Sequence, residues 1–120
     1  MNIVAYVLVG LVAALHAYFL VLEMFLWTAP RTRAAFGTTA EFAEQSKALA
    51  ANQGLYNGFL VAGLVYGLIA ADPVGFAMRV FFLVCVIVAG LYGAATASRR
   101  ILLVQALPGA LALAAVLLAH

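Results

Sequence analysis

The sequence predicts an all-α membrane protein, an up-down bundle of four transmembrane helices in a single domain. Of its 120 residues, 68% are hydrophobic and only 8% are charged, whereas a soluble domain averages roughly a quarter charged residues. Four stretches each supply the roughly 20 predominantly apolar residues that a helix needs to cross the hydrocarbon. The later connections are so short that consecutive helices must run antiparallel, which gives the up-down order.

The predicted helices follow from the order of these apolar stretches and from the breaks between them. They cover about residues 3–27, 39–71, 74–97 and 101–119, and a linker at 28–38 joins the first two. Thr38 and Glu41 stand in the S/T-x-x-E relation of a capping box. This relation predicts that the second helix begins near Thr39 and carries about two turns outside the hydrocarbon before entering it.

Basic residues predict the orientation of the chain. Five of the six basic side chains flank the first and third connections, namely Arg31, Arg33, Lys47, Arg99 and Arg100. The other side has Arg79, with Asp72 nearby. By the positive-inside rule the first and third connections face the cytoplasm and both termini lie outside. We therefore expect a multi-pass protein of the inner (cytoplasmic) membrane, whose net charge of +2 reflects topology and not binding of nucleic acid.

Ionisable side chains inside apolar helices point to function, because inserting one costs about 2.5–3.5 kcal/mol or more. Glu23 lies about four residues from the basic-loop end of the first predicted helix. His16 lies seven residues earlier and points to the same side, and Trp27 continues this stripe. Other polar side chains fall within about 10 Å of the same membrane side at 1.5 Å per residue, namely Asn52, Gln53, Tyr56, Asn57, Tyr92, Thr96 and Gln105. The opposite half of each helix is nearly bare, so the sequence predicts a one-sided polar pocket.

The residue types in this predicted pocket suit a small lipophilic or amphipathic molecule. A carboxylate at Glu23 and an imidazole at His16 could pass a proton, as isomerisation requires. Asn57 and Tyr56 would orient a polar head group, and Trp27 would pack against the apolar body. The sequence has no phosphate-binding loop, zinc-protease motif or cysteine cluster, so we expect no cofactor and no metal.

Two other functions remain open on the sequence alone, as does whether the protein is an enzyme. In a proton-coupled transporter, Glu23 would alternate between a proton and a small-molecule substrate, and the protein would work as a homodimer. In a structural or accessory subunit, the polar groups would only hydrogen-bond between helices. Gly54 and Gly58, four residues apart, suit contacts within the bundle or in a homodimer. The lipid bilayer is the partner that follows directly from composition.

A resemblance to a known family rests on His16, Glu23 and Trp27 and on residues 52–60, which read Asn-Gln-Gly-Leu-Tyr-Asn-Gly-Phe-Leu. With these residues the chain resembles a family of small bacterial and fungal integral membrane proteins classed as a domain of unknown function. The resemblance covers the whole chain and implies a shared four-helix fold and a shared site, without an activity. Glu23 also gives a looser likeness, in architecture only, to the four-helix small multidrug exporters.

Overall fold

The computed structural model describes residues 2–120, and the chain is all-α, as the composition predicts. The helices are α1 (Ile3–Met24), α2 (Pro30–Phe36), α3 (Ala40–Ile69), α4 (Val74–Thr96) and α5 (Leu107–Ala119), the last preceded by a π-helical turn at Leu102–Ala106. Within the described residues, three segments are long and apolar enough to cross a membrane, namely α1, α4 and the stretch Leu102–Ala119. These three segments indicate a membrane protein.

Helix α3 is the longest element, with 30 residues, yet it is not among the three apolar segments. Its first turns carry charged residues, and Asn52, Gln53 and Asn57 lower the mean hydropathy of the later turns. At 1.5 Å per residue the helix is about 45 Å long, against roughly 30 Å for the hydrocarbon core. The polar motif thus lies in the part of α3 that a membrane span would have to use.

The segment after α1 differs from the predicted one. Helix α1 ends at Met24, so Trp27 lies beyond the helix and does not continue its polar stripe. The predicted linker contains the short helix α2, which Pro30 opens at a position where a missing N–H costs no hydrogen bond. Gly37, at φ 70°, ends α2 in the left-handed conformation that glycine adopts without steric cost, and its amide donates to the carbonyl of Arg33.

The side chain of Thr39 caps the start of α3, whereas the sequence predicted Thr38 as the capping residue. The hydroxyl of Thr39 accepts a hydrogen bond from the amide of Phe42 at 3.1 Å, and the helix begins at Ala40. The capping box predicted from the sequence paired Thr38 with Glu41 instead. A side-chain oxygen at this position satisfies one of the amides that the first turn of a helix leaves without a partner.

The chain divides into two compact units, and the first contains the apolar core. This unit consists of the residues up to Ala14 and of residues 60–120, whereas the second consists of residues 15–59. The core side chains come from α1, α3, α4 and α5, and they are Ala5, Val9, Val12, Ala13, Leu64, Leu83, Val86, Ala112 and Val116. Three of the nine are alanines, and residues of this size let helix backbones approach closely.

Glycines bring α4 and α5 together in the first unit. A Cβ atom at the buried Gly90 would lie 2.7 Å from the amide nitrogen of Ala106 and 3.0 Å from its Cα. A Cβ atom at Gly109 would lie 2.9 Å from Cγ1 of Val86. Membrane helices have no hydrophobic driving force for association, because lipid tails are as apolar as the side chains. Close backbone approach of this kind provides packing contacts that hold such helices together.

The π-helical turn before α5 has a cause in the sequence. It is closed by the amide of Leu107, which donates to the carbonyl of Leu102 five residues earlier. Pro108 comes next, and in a regular α-helix its ring would clash with the carbonyl of Val104 and leave that carbonyl without a donor. The wider turn lets the helix continue through the proline. Gln105, a predicted pocket residue, lies in this turn and is partly buried.

A buried arginine connects the end of α3 to the start of α4. Arg79 is only 3% exposed. Its Nη1 donates to the carbonyl of Gly67, and its Nη2 donates to Oδ1 of Asp72 at 3.0 Å. Gly67 and Gly75 leave room for the side chain, since a Cβ at Gly67 would lie 2.8 Å from Cγ of Arg79. The arginine therefore stabilises the turn between the two helices by hydrogen bonds to Gly67 at the end of α3 and to Asp72 in the turn.

The ion pair between Asp72 and Arg79 predicts a loss of stability in acid. The guanidinium of Arg79 holds the pKa of the Asp72 carboxyl below its ordinary value of 3.8. A lowered pKa in the folded state stabilises the fold above the ordinary value, and this stabilisation is lost as the pH falls through the lowered pKa. We expect the melting temperature in detergent to fall below about pH 4, and the fall to be smaller in Asp72→Asn. Identical pH profiles for the two proteins would contradict this.

Candidate functional site

In the second unit, a carboxyl group on α1 meets an amide on α3. Nδ2 of Asn57 donates a hydrogen bond to Oε1 of Glu23 at 2.5 Å. Asn57 is only 6% exposed, and Glu23 is half-buried. Both residues were predicted to belong to the polar pocket, and the structure places their side chains in direct contact. The amide of Asn57 therefore fixes the position of one carboxyl oxygen of Glu23.

Two glycines of the polar motif allow this contact. Gly54 is buried, and a Cβ atom there would lie 3.2 Å both from Cβ of Glu23 and from the carbonyl oxygen of Leu20. One turn further on, a Cβ atom at Gly58 would lie 3.0 Å from Cδ1 of Leu20. The spacing of the two glycines thus presents a smooth strip of α3 to α1 within this unit. Asn57, between them in sequence, reaches Glu23 because the two backbones are close.

His16 lies deeper along α1 and is fully buried. The edge of its ring meets the ring of Phe19, with 5.4 Å between centroids and 73° between planes. Seven residues separate His16 from Glu23, which corresponds to about 10 Å along the helix axis. The two groups predicted to be catalytic therefore lie about two turns apart along α1, and a ligand that contacts both would have to extend along the helix.

Trp27 contacts α2 and α3 in the structure. Its Nε1 donates to Oγ of Ser46 at 3.1 Å, and this hydroxyl donates to the carbonyl of Phe42 at 2.7 Å. The indole also meets the ring of Phe36 edge-on, with 4.9 Å between centroids. Trp27 thus ties the α1–α2 connection and α2 to the first turns of α3. The sequence did not indicate Ser46, because it lies in a charged, mostly exposed stretch.

Substitution of Ser46 by alanine is expected to destabilise the second unit by about 1 kcal/mol, the usual net value of a hydrogen bond. The chain has one tryptophan, so the fluorescence of Trp27 reports the loss directly. We expect a changed emission maximum in Ser46→Ala and an unchanged one in Gln45→Ala, which alters an exposed neighbour on the same helix. An unchanged spectrum in Ser46→Ala would mean that the indole does not depend on this hydroxyl.

Of the six remaining residues predicted to line the pocket, three are exposed in the second unit and three belong to the first unit. Asn52, Gln53 and Tyr56 are exposed on α3, and the ring of Tyr56 meets that of Phe59 edge-on at 5.6 Å. Tyr92 and Thr96 belong to the first unit, as does Gln105. Tyr92 is 72% exposed, and the hydroxyl of Thr96 donates to the carbonyl of Tyr92 in the preceding turn at 2.7 Å.

The structure also contains a cavity, and it lies in the first unit. It has a volume of about 170 Å³, and its lining residues are Asp72, Phe76, Arg79, Val116, Ala119 and His120. Neither Glu23 nor Asn57 is among them. Among residues 2–120, no group of three or more His, Cys, Asp or Glu side chains could hold a metal ion.

Comparison with known proteins identifies relatives without an activity. Residues 10–117 match the model of a family described as "Protein of unknown function (DUF1304)". The chain is 33% identical over 107 residues to "Uncharacterized protein YpaA" of Lactococcus lactis subsp. lactis (strain IL1403), which covers 88% of the chain and 89% of the relative. No solved structure matches the chain. The matched range includes His16, Glu23 and the polar motif at 52–60.

Proposed function

Because the chain belongs to this DUF1304 family of unknown function, we propose a function from the Glu23–Asn57 contact itself. The protein binds, or acts on, a small lipophilic or amphipathic molecule at a polar site on one side of the membrane. The observation that carries this proposal is the hydrogen bond from a buried amide to a carboxyl group in a predominantly apolar helix. Such groups are costly in a membrane and usually mark a functional site.

The chemistry of the pair suits a ligand with a polar or cationic head group. A carboxylate offers about four sites for hydrogen bonds, and Asn57 occupies one of them. The remaining sites could accept from an ammonium or hydroxyl group. Asn57 would keep the carboxyl group in one orientation, so that a ligand meets a preorganised partner. His16, about 10 Å deeper, would be reached only by a ligand that extends along α1.

The membrane arrangement belongs to the same proposal. Helix α3 serves as a fourth span alongside the three apolar segments, and its first turns project into the aqueous side. By the positive-inside rule, the basic residues next to the first and third connections favour the cytoplasmic side of the inner membrane for both connections. Glu23 and Asn57 then lie near the cytoplasmic surface, where an amphipathic molecule can keep its head group close to water.

A ligand screen by thermal stability tests the proposal. Purified protein in detergent is melted with lipophilic amines, sterol-like compounds and quinone-like compounds, in parallel with Glu23→Gln and the exposed control Glu44→Gln. We expect at least one compound to raise the melting temperature of the wild type and of Glu44→Gln by about 3 °C or more at a tenfold excess over its Kd. The same compound should leave Glu23→Gln unchanged, because the amide lacks the charge. Absence of any stabilising compound would contradict the proposal.

A second function is favoured by the packing around Gly54. The same contact brings the backbones of α1 and α3 together and joins them by a side-chain hydrogen bond. These features suit a structural or accessory subunit in which Glu23 only locks two helices, at about 0.6–2 kcal/mol per bond. Under this alternative no compound would depend on Glu23, and loss of the side chain would change stability alone.

A further inference from the structure

Helix α2 has one buried side and one exposed side. Thr32 is only 3% exposed, whereas Pro30 and Ala34 are exposed. At about 100° per residue, the middle of the strip that Pro30 and Ala34 form lies opposite Thr32 on the helix. Arg31 and Arg33 lie about 80° to either side of the middle of that strip. The exposed side of α2 is therefore a narrow apolar strip with one arginine on each flank.

The two arginines of α2 lack acidic partners. Within residues 2–120 neither guanidinium forms an ion pair with a carboxylate, and no Asp or Glu occurs between positions 25 and 40. Nε of Arg33 donates to the carbonyl of Thr28 at 3.1 Å, and this bond holds the guanidinium against the connection before the helix. Its two Nη groups have no acceptor in the described part of the chain. An arginine held in this way offers its remaining donors in a planar fork that suits a phosphate group.

Large apolar side chains next to α2 are exposed as well. Phe25 is 71% exposed and Leu26 is 45% exposed, and both lie in the connection between α1 and α2. Helix α1 is long and apolar enough to cross a membrane, and such a crossing places this connection where the hydrocarbon meets the lipid head groups. Exposed apolar side chains beside basic ones are typical of segments that lie in the plane of this boundary.

From these observations we propose that residues 25–36 form a binding surface for anionic phospholipids. Arg31 and Arg33 meet the phosphates of the head groups, while the exposed apolar side chains before α2 enter the upper part of the acyl region. The lipid is anionic because the segment carries two positive charges and no negative one, and an anionic membrane surface attracts each basic side chain near it. A phosphatidylcholine head group carries a compensating cation, so it is bound more weakly. The surface does not include Glu23 and does not depend on its role.

Quenching of Trp27 by brominated lipids tests this surface. The chain has one tryptophan, and the centroid of its indole lies 4.9 Å from that of Phe36 on α2, so its emission reports lipids next to the segment. The protein is placed in phosphatidylcholine bilayers that contain the same small fraction of either brominated phosphatidylglycerol or brominated phosphatidylcholine. We expect quenching to be about twofold stronger or more with brominated phosphatidylglycerol, and this ratio to fall towards one in about 1 M salt. Equal quenching by the two lipids at low salt overturns the proposal.

Two variants and a control locate the lipid preference, each compared with its own bromine-free sample. Arg31→Gln removes an exposed charge, and Arg31→Gln combined with Arg33→Gln removes both charges of α2. Lys47→Gln removes an equal charge from an exposed position on α3. We expect the quenching ratio to fall to about one in the double variant, to an intermediate value in Arg31→Gln, and to be retained in Lys47→Gln. If the double variant does not fold, Arg31→Gln decides. An unchanged ratio in Arg31→Gln, or an equal loss in Lys47→Gln, would overturn the proposal.

Discussion

Valine in place of Gly90 is expected to destabilise the protein by about 3 kcal/mol or more, enough to lower the melting temperature by roughly 10 °C. The added Cβ would meet the backbone nitrogen of Ala106 at 2.7 Å and its Cα at 3.0 Å. A flexible side chain could turn away from such a contact, but a helix backbone cannot. Relief would require the π-helical turn that contains Ala106, together with α5 after it, to move away from α4, which would open the apolar core of the first unit.

The matched control for this prediction is valine at Gly10, another helical glycine of the same unit. A Cβ atom at Gly10 would have no atom within 4 Å, so the substitution adds volume without a clash. Thermal melts of both variants in the same detergent separate the steric effect from the general effect of losing a glycine. Similar melting temperatures for Gly90→Val and Gly10→Val would show that the contact between α4 and Ala106 is not close.

Leucine in place of Asn57 is expected to destabilise the second unit by roughly 1–3 kcal/mol, because Oε1 of Glu23 would lose its donor in a largely buried place. Glu23→Leu combined with Asn57→Leu should recover most of this loss. Replacing both partners by apolar groups leaves no polar group without a partner, and that exchange is often nearly neutral. Equilibrium unfolding of the two single variants and the double variant gives the coupling energy directly.

Asn52→Leu is the control for this cycle, since Asn52 is an exposed amide on the same helix. We expect it to have little effect on stability and no coupling to Glu23. If the losses in the two single variants simply added in the double variant, the hydrogen bond between Glu23 and Asn57 would make no contribution to stability. The cycle thus tests the contact on which the proposed function depends.

The class of the fold followed from composition and apolar length, but the ends of the helices did not. Contacts that the apolar pattern does not show lie at these ends. Helix α1 ends at Met24, and Trp27 beyond it donates a hydrogen bond to Ser46. An additional short helix then begins at Pro30, and Gly37 is its C-cap. The apolar stretch continues past Met24 to Trp27, so it did not reveal that the helix stops at Met24.

Glu23 and Asn57 are two of the residues that the sequence singled out, but the sequence did not predict that these two would be in contact. Spacing places Asn52 and Asn57 about 140° apart around α3 at 100° per residue, so only one of them can face α1. The periodicity of the helix does not say which. The structure turns Asn57 inward and leaves Asn52 exposed. The glycines at 54 and 58 carried the information that periodicity lacked, since the strip they form faces α1.

The π-helical turn before α5 has a consequence for how the length of this chain can vary. Such a turn is equivalent to an α-helix with one surplus residue, so deleting one of residues 102–106 would leave the facing of Gly109 and Val116 unchanged. The deletion would, however, bring the ring of Pro108 against the preceding carbonyl. The surplus residue is therefore needed only while position 108 is a proline. A chain that is one residue shorter here keeps this packing only if position 108 holds another amino acid.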